Sequence, residues 1–314
     1  MRAVFLDKST INENIDFSPI ETSLTNISYF DSTPANKVVA RSRYADIIIT
    51  NKVVIDDEIM AQLPHLKQIC VAATGTNNID TEAARRRGIS VNNVEGYSTS
   101  SVSQYVFAML LEHMQKTSEY VANVRRGEWQ KSHVFCHFTT PIHELSGKTL
   151  TLIGYGSIAR SVETIARAFG MHVIIAERRD AHSIRPGRMP FEQALSVADV
   201  VSLHAPLTDK TQALIDQHSI AIMKKGAILI NTARGGLIDN DAVIKALRSR
   251  KLDAVILDVL DTEPATDEHP LIAYQHPNLY ITAHIAWGSQ QAQQRLINAI
   301  ADNIAAFIKR HVAT

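Results

Sequence analysis

The sequence predicts an α/β fold built from two doubly wound parallel-sheet domains. Three observations carry that expectation. Short apolar runs alternate with helical periods over most of the chain, and a glycine-punctuated turn opens its second half. The length of 314 residues suits two domains of about 100–200 residues each. Each crossover between parallel strands needs a helix-sized connection, so this alternation implies a parallel sheet with helices on its faces.

In chain order, short strands are expected at 2–6, 27–30, 46–50, 67–72 and 89–92, with helical stretches such as 56–63 and 81–87 between them. From Ser98 a long amphipathic helix is expected to about Gln115, opened by Ser98, Thr99, Ser100 and Ser101 as candidate N-caps. The stretch 118–147 shows no clear period and carries Trp129, Phe135 and Phe138. So long an irregular segment is unusual in a compact domain, which makes it a partner-contacting arm or a packed loop. The alternation resumes with strands at 149–153, 171–176, 200–203, 227–230, 254–259 and 279–282. Beyond Ser289, a candidate N-cap, a helix is expected to about Arg310. No strand follows it, so it should pack back on the first domain. The expected domains are therefore 1–97 plus 289–314, discontinuous, and 98–288.

The glycine turn is the most informative segment. Thr-Leu-Thr-Leu-Ile-Gly-Tyr-Gly-Ser-Ile-Ala spans 149–159, with Gly154, Gly156 and Ala159 in the phosphate-loop positions. Ile158, Val162, Ile165 and Phe169 recur at helical spacing after it, and Gly170 marks a stop. Gly154 permits the tight turn, and Gly156 lets backbone N–H groups around Tyr155, Ser157 and Ile158 approach a pyrophosphate. The third position needs only a small residue for helix–strand packing, which Ala159 supplies. A second apolar run ends on Glu177, 18 positions beyond Ala159. A carboxylate there suits the free ribose hydroxyls of NAD and repels the extra phosphate of NADP. Arg178 and Arg179 follow at once. They are either solvated loop charges or phosphate partners, so NADP stays open as the alternative to NAD.

Composition excludes several other classes. Lys plus Arg equals Asp plus Glu at 32 each, so no net field draws the chain to nucleic acid or an anionic membrane. The N-terminal run lacks the longer apolar stretch and cleavage site of a signal peptide. No apolar segment approaches the roughly 18 residues of a membrane span. Two cysteines, Cys70 and Cys136, make neither a disulfide framework nor a zinc set. No metal is expected, and a cytoplasmic location is.

Three polar residues follow successive strands of the second domain, where open α/β sheets bind ligands. Arg234 stands in Asn-Thr-Ala-Arg-Gly-Gly, Glu263 in Asp-Val-Leu-Asp-Thr-Glu-Pro, and His284 in Thr-Ala-His-Ile-Ala-Trp. Each alone reads as easily as a surface ion-pair partner, a turn carboxylate or an idle histidine. Together, downstream of a dinucleotide loop, they form a candidate catalytic set.

With those segments in view, the chain resembles the D-isomer-specific 2-hydroxyacid dehydrogenases along essentially its whole length. The matching pieces are Ala-Thr-Gly-Thr-Asn-Asn-Ile-Asp (73–80), Asn-Val-Glu-Gly-Tyr-Ser-Thr (93–99), the Gly154 loop, Leu-His-Ala-Pro-Leu-Thr (203–208) and the three strand-end segments. Within the family, 94–99, 129–136, Glu-Leu-Ser-Gly-Lys-Thr (144–149) and Ala-Glu-Arg (176–178) look most like bacterial glycerate dehydrogenases, or hydroxypyruvate reductases. The resemblance implies a Rossmann cofactor domain inserted in a flavodoxin-like substrate domain, and a homodimer built on 98–147.

The resemblance also implies residue roles. His284 would donate the proton to a 2-oxo acid, since imidazole titrates near neutral pH. Glu263 would hold the imidazolium through its other nitrogen. Arg234 would clamp the substrate carboxylate with its planar fork, helped by backbone N–H groups at Thr74, Gly75 and Thr76. Asp258 matches the position that hydrogen-bonds the nicotinamide carboxamide. Pro206, Thr208, Thr232 and Ala233 match cofactor-lining positions, and Arg178 completes the adenosine end. Ala283 replaces the usual proline before the histidine, which could loosen that loop, and Asn77 replaces a common aspartate. Hydroxypyruvate to D-glycerate is the expected reaction. The alternatives are glyoxylate or phosphohydroxypyruvate reduction and, from a different class, a dinucleotide-sensing interaction protein.

Overall fold

A computed structural model describes residues 1–24 and 26–312; Ala313 and Thr314, at the end of the expected first domain, lie outside the described residues. The chain forms two compact units, Met1–Ser98 with Trp287–Thr314, and Thr99–Ala286. In the first unit, β1 (Arg2–Phe5), β2 (Asn26–Tyr29), β3 (Ile47–Thr50), β4 (Gln68–Val71) and β5 (Ser90–Asn92) form one parallel sheet in the order β2-β1-β3-β4-β5. That is the flavodoxin-like order. All four residues of β3 and of β4 are buried, whereas the edge strands β2 and β5 are only partly covered. Central parallel strands carry helices on both faces, so their sequence is nearly all apolar, with polar residues only at Thr50 and Gln68 on their ends.

The Gln290–Val312 helix closes one face of this sheet. Its Ala292, Leu296, Ile297, Ile300, Ile304 and Phe307 are buried in one cluster with β1 and β3 residues such as Phe5, Ile47 and Ile49. Burying each of the Leu, Ile and Phe side chains contributes roughly 1.5–3 kcal/mol, and the smaller Ala292 less. Ser289 caps the helix, accepting from Ala292 N at 3.2 Å. Cys70 is part of this core, and burial pushes its thiol up to about 12, which leaves it a packing residue.

In the second unit, β6 (Thr149–Ile153), β7 (His172–Ala176), β8 (Val200–Leu203), β9 (Ala227–Asn231), β10 (Leu252–Leu257) and β11 (Leu279–Ile281) form a parallel sheet in the order β11-β10-β9-β8-β6-β7. A parallel bridge from Ala176 to Met189 extends it beyond β7. The order reverses between β6 and β8, a switch point of the doubly wound type. The Thr99–Gln115 helix lays Val106, Phe107, Leu110 and Met114 against Leu150 and Leu152 of β6 and against Ala159, Val162 and Ala166. Ala159 is fully buried there, so its small side chain is a packing requirement.

Two local expectations are corrected. β10 begins and ends two residues before the expected strand, because the exposed Asp253 interrupts its apolar run and an irregular register follows Leu252. Within the supposedly aperiodic 118–147 a helix runs over Thr117–Arg125. It is nine residues long and its only buried residue is Asn123, while Val121 and Val124 on its apolar face are exposed, so the short apolar pattern is not reinforced by a packed face. Among the described residues no helix is long and apolar enough to cross a membrane.

Candidate active site

β9, β10 and β11 are adjacent and parallel, so the segments that follow them share one edge of the sheet. After β9, the buried Asn231 shapes the turn. Its amide donates to Arg234 O at 2.8 Å, and its carbonyl oxygen accepts from Ala233 N at 3.0 Å. The Arg234 guanidinium donates to Ala233 O at 2.7 Å. The next residue fixes how close the β10 loop comes. A Cβ on Gly235 would stand 1.9 Å from the Leu260 carbonyl carbon and 2.1 Å from Asp261 N. The loop carrying Glu263 therefore rests on a glycine.

Glu263 and His284 meet directly. Glu263 Oε1 accepts from Leu260 N at 2.8 Å, and Oε2 lies 2.7 Å from His284 Nδ1. With a carboxylate at Nδ1, that nitrogen carries the hydrogen, and Nε2 is the atom that gains or loses a proton. His284 has φ 55°, a left-handed conformation costing an L residue about 1–2 kcal/mol. Several anchors hold it there. Asp258 Oδ1 accepts from Thr282 Oγ1 at 2.6 Å and Ile285 N at 2.8 Å, and Oδ2 accepts from Ala286 N at 2.8 Å. Ser101 Oγ donates to Ala286 O at 2.7 Å. Since the Thr282 proton is committed to Asp258, Tyr105 is the donor in its 2.6 Å contact with Thr282 Oγ1. The loop is thus fastened on both sides of His284 although Ala283 is not proline. Burial pushes the Asp258 carboxyl up despite its three donors.

At the other end of the site, Gly154 adopts φ 86°, and a Cβ there would meet His204 O at 2.5 Å. Gly156 caps the Ser157–Ala168 helix, and a Cβ on it would meet nothing within 4 Å. Its side of the turn is open for a close ligand. Tyr155, between the two glycines, donates its hydroxyl to Glu163. Thr208 N donates to Thr211 Oγ1 at 2.7 Å, and that hydroxyl donates in turn to Pro206 O at 2.8 Å. The Thr232 hydroxyl is buried without a hydrogen-bond partner among the described residues.

Comparison with known proteins decides the family. Residues 107–286 match the family model for the D-isomer specific 2-hydroxyacid dehydrogenase NAD binding domain. The chain belongs to that family. It is 37% identical to a glycerate dehydrogenase of Methylorubrum extorquens, over 98% of this chain and 96% of the relative. It is 33% identical to a hydroxypyruvate reductase of Blautia hydrogenotrophica, over 98% and 97%. Among solved structures it is similar to a D-lactate dehydrogenase from Aquifex aeolicus in complex with NAD and lactic acid, with TM-score 0.79, 26% identity and coverage of 99% and 97%.

The residues present fit the family's NAD. The open face at Gly156, at the start of a 12-residue helix, suits a pyrophosphate. The orphaned Thr232 hydroxyl lacks the partner that a bound cofactor would bring. Glu177 directly follows β7, as its position in the sequence implies, yet its carboxylate is buried and held by Arg185, a residue that no sequence motif marks. Asn231, Gly235, Thr282 and Tyr105 were missed as well. Asn231 and Gly235 stand in the strand-end segment of Arg234, and Thr282 in that of His284, whereas Tyr105 lies in none of them. Thr74, Gly75 and Thr76 belong to the first unit. There Thr74 Oγ1 donates to Val94 O at 3.1 Å and Asn93 Nδ2 donates to Thr74 O at 2.6 Å.

Proposed function

We propose that this 2-hydroxyacid dehydrogenase reduces hydroxypyruvate to D-glycerate, with His284, Glu263 and Arg234 as its working residues. The observation that carries the chemistry is the 2.7 Å contact between His284 Nδ1 and Glu263. It orients the ring and leaves Nε2 as the proton-bearing atom. The choice of substrate is supported by the names of the two relatives above, aligned over nearly their whole lengths.

NADH, when bound, would supply the hydride that the carbonyl carbon takes up. His284 Nε2 gives its proton to the carbonyl oxygen, and the ring is left neutral with Nδ1–H toward Glu263. Arg234 pairs with the substrate carboxylate through its planar donors. The proposal adds backbone N–H donation to that carboxylate from Thr74, Gly75 and Thr76, and places Pro206, Thr208, Thr232, Ala233 and Asp258 against the cofactor. We further infer a homodimer through 98–147. Phe135 and Phe138 are 91% and 72% exposed there, with Val134 and Trp129 exposed beside them in sequence, a concentration of uncovered apolar side chains that suits an interaction surface. A cytoplasmic location is proposed with it.

The test is loss of NADH absorbance with hydroxypyruvate, glyoxylate, pyruvate and phosphohydroxypyruvate. Highest kcat/KM on hydroxypyruvate is expected. A clear preference for another of the four would replace the substrate. Cofactor binding with no turnover of any of them would favour a sensing role.

A further inference from the structure

The adenosine end of the cofactor site holds an arrangement that a lone acid at the end of β7 does not explain. Glu177 has 3% of its surface exposed, and each carboxylate oxygen is already engaged. Oε1 accepts from Arg178 N at 2.9 Å and from Arg185 Nη2, while Oε2 accepts from Arg185 Nε at 2.7 Å and Arg185 N at 3.2 Å. A carboxylate offers about four acceptor positions, so all are taken. Arg188 adds a second cation, with Nε 3.9 Å from Oε2.

The intervening loop is pinned in this form. Glu177 N donates to Met189 O at 2.8 Å, and Met189 N donates to Ile175 O at 2.9 Å. Arg188 also lies 5.9 Å from the ring centroid of Tyr155, in the glycine loop, and Arg160 approaches the same ring at 5.9 Å. Arg179 is committed elsewhere, to Asp216 at 3.3 Å and to Ser219. The Arg185 side chain keeps 47% of its surface exposed while it holds Glu177.

An acid at this position binds the ribose hydroxyls and repels a 2′-phosphate only while its charge and lone pairs are available. Here Arg185 takes up the charge and, together with Arg178 N, the lone pairs. We propose that Arg185 is the specificity-determining residue of the cofactor site. The ribose 2′ position is read by an internal ion pair, which admits NADPH as well as NADH. Hydroxyls of NAD displace part of the Arg185 fork to reach Glu177. A 2′-phosphate is met by Arg185 and Arg188 and leaves Glu177 neutralised from within. The inference rests on the family's dinucleotide and is independent of which oxo acid is reduced.

The test is direct titration of the full chain with NADH and NADPH, without oxo acid, by calorimetry. Wild type should bind the two within about tenfold of each other. Arg185→Gln should move the ratio of dissociation constants toward NADH by about fivefold, the equivalent of one partly exposed charge contact of about 1 kcal/mol. Arg185→Lys, which keeps the charge but not the fork, should fall between wild type and Arg185→Gln, and Glu177→Gln should move the ratio toward NADPH. An Arg185→Gln ratio within twofold of wild type, or one shifted toward NADPH, would overturn the assignment. Should that variant not fold, wild type alone decides. Adenosine 2′,5′-bisphosphate should bind at least as tightly as adenosine 5′-monophosphate, and a clear preference for the monophosphate overturns it.

Discussion

After β10 and β11 a carboxylate meets an imidazole; after β7, at the opposite edge of the same sheet, a carboxylate meets a guanidinium. The Glu263–His284 pair is part-exposed on both sides, at 35% and 26%, whereas Glu177 is buried at 2% under Arg185. The difference lies in what each cation can do. Imidazole changes charge near neutrality, so a pair reachable by substrate can pass a proton and recover it. A guanidinium never releases its proton, so its pair is fixed and can only recognise. Arg185, as the leading cause, holds the Glu177 carboxyl well below the usual carboxylate range. Asp258, between the two in function, is pushed the other way by burial and fastens the His284 loop.

Removing the exchangeable member should give the largest effect. His284→Ala is expected to lower kcat about 10²–10⁴-fold, the usual range for a general acid, with NADH affinity within about twofold of wild type. Comparable loss of NADH binding would show that the loop, and not the proton, had been lost. Gly235→Ala comes next. Its methyl group would overlap the Leu260–Asp261 backbone, so the loop bearing Glu263 must move. Overpacking of this kind costs about 1–3 kcal/mol, read as a lower Tm together with reduced kcat. An unchanged Tm would mean that the two loops are less tightly apposed than the geometry indicates.

What could be read in advance follows from range. The glycine turn, the acid after β7 and the succession of strands along the chain depend on local pattern and burial, and each is visible in a single stretch of chain. The five- and six-stranded parallel sheets follow from those runs, because strands covered on both faces have nearly unbroken apolar sequence. Arg234, Glu263 and His284 were legible because each closely follows a strand. Arg185 was not, since it sits in an aperiodic loop and its partner is eight positions back. The need for glycine at 235 was hidden too, because it depends on the approach of Leu260, 25 positions on. The Thr117–Arg125 helix escaped for the opposite reason: it is only nine residues long, too short for its exposed Val121 and Val124 to set up a clear period.

The pairs also differ in where the loss of the carboxylate appears. Glu263→Gln keeps the shape beside His284 but removes the carboxylate that accepts from Nδ1 and so sets which ring nitrogen carries the hydrogen. kcat should fall about tenfold or more while NADH affinity stays within about twofold of wild type. An unchanged kcat would break the proposed coupling.

The fixed pair should appear in stability rather than rate. A carboxyl whose folded-state pKa is depressed contributes stability that is fully present above its unfolded value of about 4.3 and is lost as pH falls through the folded value. Glu177 is such a group. Glu177→Gln should therefore melt below wild type at pH 7, and the gap should narrow as pH falls from about 5 toward 3. The unfolded chain takes up the proton there, while folded Glu177 still resists it. Asp258 carries the opposite sign. Its raised pKa makes its contribution largest at low pH and diminishing as pH rises through the carboxylate range, so it cannot mimic the narrowing. A gap that stayed constant from pH 7 to pH 3 would mean that the Arg185 clamp is not what depresses Glu177. The contrast between the exchanging and the fixed pair would then fail on its fixed side.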